Sequence, residues 1–142
     1  MQPEFLFQLY NTAILPAWIA LMIWPGKSWV ESLIKGVMLF LALSYVACLV
    51  ISFSNAPQPP DFSSLEGLIQ ALSGPWGMLT GWIHYLCFDL WVGLQLNKEA
   101  HQKGYPPFLR IPVLFFVLMT GPLGWLIFQI IKAVRPGTPT AN

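Results

Sequence analysis

Residues 74–96 read GPWGMLTGWIHYLCFDLWVGLQL. Gly74-Pro75 opens the stretch, and the run beyond it is apolar for about the 20 residues that a helix needs to cross a bilayer. Two groups inside it do not belong in a plain apolar helix, His84 and Asp89. An Asp at the centre of a bilayer costs about 2.5–3.5 kcal/mol on insertion scales. Such a residue should therefore face other protein and have a use or a partner. Three further stretches of the same kind, residues 5–24, 35–53 and 108–131, set the expected class. It is an all-α, polytopic membrane protein, a bundle of four transmembrane helices in one domain over residues 1–134.

Composition agrees with that class. Of the 142 residues, 56% are hydrophobic and 9% charged, against about a quarter charged in a soluble domain. The net charge of +1 leaves no basic face for nucleic acid. Cys48 and Cys87 each lie in an apolar run, and their spacing matches no metal or redox motif, so they read as small packing residues. Neither a metal nor a cofactor is expected. No Ser-His-Asp order, phosphate loop, Cys cluster or haem signature occurs.

Between the spans the chain is punctuated. The first begins with Glu4, lacks a basic start and has no cleavage site after it, so it reads as a retained helix rather than a leader. Pro16 should kink it. A short lead-in with Trp29 and Glu31 precedes the second. Pro57, Pro59 and Pro60 then break the pattern. Leu65, Leu68, Ile69 and Leu72 recur at helical spacing, which predicts a short amphipathic helix over 63–73 lying in the membrane interface. Ser63 and Glu66 have capping-box spacing at its start. Asn97–Pro107 reads as a polar loop, Gly121-Pro122 interrupts the fourth span, and residues 135–142 read as a flexible tail. With four spans, the loops bearing Lys27, Lys35, Lys98, Lys103 and Arg110 lie in the cytoplasm or stroma, with Lys132 and Arg135 opposite. Arg110, near a span end, is expected to snorkel.

Helix geometry separates the two unusual groups. Five positions place His84 and Asp89 roughly 140° apart around the axis and about 7.5 Å along it, too far around for a dyad within one helix. Tyr85 and, a further turn back, Trp82 share the face of Asp89. His84 shares a face with Gly77 and Gly81, a GxxxG spacing that admits a close neighbouring helix. Candidate partners for His84 are Tyr10, Asn11, Thr12, Ser44, Tyr45 and Thr120. Trp76, Trp82, Phe88 and Trp91 offer an aromatic groove for a flat apolar ligand, or simple packing.

The run Gly74-Pro75-Trp76, with Trp82 to Gly93, Ile111-Pro112 and Thr120-Gly121-Pro122-Leu123-Gly124, resembles the abscisic-acid-deficient-four family, which includes the plant protein required for neoxanthin. A departure is Leu94-Gln95 after Gly93, where family members often carry a basic residue. The resemblance implies a membrane protein of a bacterial inner or thylakoid membrane, or of a plastid. It also implies isomerisation of an epoxy-carotenoid to an allenic one, with Asp89 and His84 as the catalytic acid and base and with Tyr85, Trp82, Phe88 and Trp91 around the substrate. The alternatives are a non-enzymatic protein that binds pigment or lipid or supports a membrane complex, and a small transporter using Asp89 as a proton site. Membrane lipid and a carotenoid are the expected partners, and a homo-oligomer or membrane complex fits a chain of this size.

Overall fold

Prolines and glycines divide this apolar chain into helices. The computed structural model describes residues 2–56, 60–135 and 137, and among these it has six α-helices and no strand. They are α1 (Pro3–Ile23), α2 (Ser28–Asn55), α3 (Leu65–Ser73), α4 (Pro75–Gln102), α5 (Pro107–Thr120) and α6 (Pro122–Val134). Pro3, Pro75, Pro107 and Pro122 stand in the first turns of their helices, where a missing N–H costs nothing. Pro57 and Pro59, and all of the expected flexible tail except Arg135 and Gly137, lie outside the described residues.

Two helices, α1 and α2, are long and apolar enough to cross a membrane. The lead-in with Trp29 and Glu31 is continuous with α2, which begins at Ser28. Helix α4 matches α2 in length at 28 residues. It absorbs most of the stretch expected to be a polar loop, because Asn97 to Gln102 contains no helix breaker and the turn waits for Gly104 at φ +65°.

The short helix α3 is capped at Ser64, one residue later than the spacing suggested. Ser64 Oγ accepts from the Gly67 N–H at 3.1 Å. Ser63 instead donates through its N–H and its hydroxyl to Asp61 Oδ1, at 2.8 and 2.6 Å. The Gly77 and Gly81 pair serves this helix rather than a second long one. A Cβ on Gly77 would overlap the Ala71 carbonyl, and one on Gly81 would touch Leu72.

Helices α1, α2 and α4 form the body. Tyr10 lies against Phe40, Trp24 against Trp29 and Tyr45 against His84, so α2 runs antiparallel to both α1 and α4. Helix α1 runs parallel to α4 and packs tightly on it at Gly93, where a Cβ would overlap the buried Trp18 indole.

The segment expected as a fourth span is a helical hairpin. Its arms α5 and α6 have 14 and 13 residues, each about 20 Å long. Gly121 joins them with φ +47°, a left-handed conformation that L side chains resist. A Cβ on Gly124 would overlap Val117 in the facing arm. At the open end the Tyr105 hydroxyl donates to the Arg135 carbonyl at 2.7 Å, and the Tyr105 ring packs edge-on to Phe128. A straight helix through both arms would hold those ends about 40 Å apart.

The fold-back corrects the placement of Lys132 and Arg135. Lys132 Nζ reaches Glu99 Oε1 at 2.9 Å, beside the end of α4, and Lys98 joins Glu31 at 2.7 Å. All seven Lys and Arg residues are therefore gathered at one end of the molecule, where α1 ends and α2 begins.

Candidate functional site

Asp89 stands midway along α4, 14 residues after Pro75 and 13 before Gln102. It is buried, with 8% of its surface exposed. The carboxylate is pressed against the turn between α5 and α6, where a Cβ on Gly121 would overlap it. Helix α6 begins at that turn. Its first N–H groups have no acceptor within the helix, so the negative group meets the positive end of a helix dipole. Tyr85, one turn earlier on α4, is the polar side chain interacting with the carboxylate. Oδ2 has no hydrogen-bond partner among the described residues. The buried Trp18 Nε1 shares that condition, while the opposite edge of its indole lies against Gly93, one turn after Asp89.

The other expected site residues divide into two groups. Trp82 faces α1, and Tyr85 packs beside it. Their rings stack with centroids 5.3 Å apart, Phe7 lies 5.6 Å from Trp82, and the Trp82 N–H donates to Asn11 Oδ1 at 3.0 Å. Asn11 is in turn anchored by its own amide to the Phe7 carbonyl. His84 and Phe88 stack at 4.6 Å on an exposed face, with Tyr45 of α2 at 5.8 Å from His84. Trp91, one turn after Phe88, is also exposed. His84 and Asp89 thus have different surroundings, and the described contacts do not join them. Of the partners considered for His84, Tyr45 is in contact, Asn11 serves Trp82, and the Thr120 hydroxyl donates to the Phe116 carbonyl.

Sequence reasoning missed Arg110. Instead of snorkelling it is 5% exposed. It donates to Asn97 Oδ1 at 2.6 Å and to the carbonyls of Leu21 and Met22 at 3.4 and 3.0 Å. Those carbonyls belong to the last turn of α1, the negative end of that helix, which suits a guanidinium with several donors. The available signal was an Arg two residues before Pro112 in an otherwise apolar run, which reads equally well as an interfacial anchor.

Outside the apolar stretches, two carboxylates organise the cationic end. Glu31 is held at a pKa of about 2 by hydrogen bonds from Lys35 and Lys98. Glu99 is lowered by its bond from Lys103, with Lys132 adding to it. The His101 ring packs over the Gly26 turn, where a Cβ would overlap it.

These features define an all-α protein with two potential membrane-crossing helices and one carboxylate buried at the tip of a helical hairpin. Residues 5–128 match the family model described as ABA DEFICIENT 4-like, and the chain belongs to that family. No curated protein and no solved structure matches it.

Proposed function

We propose that this chain is an integral membrane protein of the neoxanthin synthase-like type that isomerises an epoxide-bearing carotenoid, with Asp89 as its proton-transfer group. Family membership supports the neoxanthin synthase-like reading. The observation that carries the chemistry is the buried Asp89 carboxyl, one oxygen of which has no protein partner among the described residues. A protonated carboxyl donates to the epoxide oxygen as the C–O bond opens. The resulting carboxylate then takes the proton lost from the adjacent polyene carbon. One C–O bond is broken, an alcohol and an allene are formed, nothing is oxidised, and Asp89 returns to its starting state. Tyr85 positions the carboxyl. His84, on another face, is assigned to polyene contact together with Phe88 and Trp91 rather than to proton transfer.

Membrane location rests on α1 and α2 and on the surface that the helices present outward. Leu39, Leu43, Val46 and Val50 form an exposed apolar face on α2. A stripe of that kind is an aggregation surface in water and is at home in lipid.

A second reading has its own support in the exposed His84–Phe88 stack beside Trp91: pigment binding without turnover. The test is expression in a host that makes epoxy-xanthophylls, with pigment profiling of membranes and purified protein. The isomerase reading expects an allenic product that disappears with Asp89→Asn while the protein level holds. Pigment that co-purifies unchanged points to the binder. Conversion that persists in Asp89→Asn removes Asp89 from the chemistry.

A further inference from the structure

We infer that α5–α6 is a re-entrant hairpin, entering the bilayer from the cationic end of the molecule and turning at mid-depth on Asp89. This rests on the membrane reading above but not on any catalytic activity.

Arm length argues for it first. Each arm covers about 20 Å, while the hydrocarbon core is about 30 Å thick. Neither arm crosses, and together they do not cross because they fold back on each other. The two arms nevertheless display Phe108, Phe115, Met119, Leu123, Trp125 and Ile130 outward, an apolar surface that calls for lipid along most of their length.

Irregular backbone at membrane depth must be covered by protein, and the turn residue of the tip is. Gly121 is buried. Its N–H donates to the Val117 carbonyl at 2.8 Å, and its own carbonyl accepts from Trp125 at 3.2 Å. The side chain covering it is Asp89, at the midpoint of α4.

Charge sets the direction of entry. Both open ends of the hairpin lie at the end that carries all seven Lys and Arg residues, tied there by Lys132 to Glu99 and by Tyr105 to Arg135. The far end, where α1 starts, α2 ends and α3 lies, holds Glu4, Asp61 and Glu66 and no cation among its described residues. The positive-inside rule places the cationic end in the cytoplasm or its equivalent. Lys27 and Arg135 then share one side of the membrane, with Glu4 and Asp61 on the other. With α4 crossing beside α1 and α2, a fourth full span would put Arg135 with Glu4.

The test is labelling with a membrane-impermeant maleimide in a background carrying Cys48→Ala and Cys87→Ala. Single replacements Glu4→Cys, Asp61→Cys, Lys27→Cys and Arg135→Cys are compared in intact and permeabilised cells. The inference expects Arg135→Cys to label in step with Lys27→Cys and opposite to Glu4→Cys and Asp61→Cys. Arg135→Cys labelling in step with Glu4→Cys overturns it. Alkaline extraction of the same membranes separates the two levels of failure. Release of the protein into the soluble fraction removes the membrane reading itself, whereas retention with the wrong labelling pattern removes only the hairpin.

Discussion

The Asp89 carboxylate fills the space that a side chain at position 121 would need, so the Gly121 turn and the buried acid depend on each other. Helix α6 starts where it does because only glycine fits beside the carboxylate at φ +47°. The acid, in return, is covered by backbone rather than by lipid.

Gly121→Ala should therefore destabilise the fold by more than the roughly 1–3 kcal/mol of a disfavoured positive-φ backbone alone. A double-mutant cycle separates the two contributions. Combining Gly121→Ala with Asp89→Ser removes most of the overlap, and thermal unfolding in detergent should recover part of the loss. A purely additive cycle would mean that the carboxylate and the turn do not press on each other.

Arg110→Met should be among the most damaging single changes. It leaves Asn97 Oδ1 and the carbonyls of Leu21 and Met22 without their donor, at about 1–3 kcal/mol for each buried group left unpaired. Arg110→Lys keeps the charge but lacks the planar fork, and should fall between Met and the native residue in melting temperature. Equal stability of all three would show that the guanidinium is not needed to join α5 to α1.

Trp82→Phe should cost about 1 kcal/mol for the hydrogen bond to Asn11, together with the packing that the larger indole makes against Tyr85 and Phe7. Asn11→Leu should cost the hydrogen bond alone, and the double variant little more than Trp82→Phe. Independent, fully additive losses would argue against the Trp82–Asn11 bond.

Acid should loosen the cationic end. The folded pKa of Glu31 lies near 2, below its ordinary value of 4.5. Its contribution is thus complete above pH 4.5 and is lost as the pH falls from there towards 2. Glu31 is partly exposed to solvent, so the effect should be small and should shrink in high salt. Melting temperature measured from about pH 5 down to about pH 2 should drop less steeply in Glu31→Gln than in the native protein. Parallel curves would place the acid sensitivity elsewhere.

The helical class, the start of α4 at Pro75, the break at Gly121-Pro122 and the burial of Asp89 were all legible in the sequence. These come from local causes: apolar length, proline chemistry and the cost of a charge in an apolar run. The different surroundings of His84 and Asp89 come from the helical repeat alone. The cap at Ser64 rather than Ser63 was not legible, because both hydroxyls lie near Asp61 and only the path of the chain decides which one reaches Gly67.

The course of the last third was settled by tertiary contacts alone. Thr120-Gly121-Pro122 signals an interruption, but a kink within one span and a reversal between two arms have the same local sequence. Contacts distant in the chain choose between them: Tyr105 with Arg135, Glu99 with Lys132, and the Asp89 carboxylate against Gly121. Arg110 belongs to the same class, since its partners on α1 lie 88 and 89 positions away. Composition and periodicity define what each segment can be. Where a glycine turn leaves two paths open, packing and charge pairing across the whole chain select one, and here they return α6 to the cationic end.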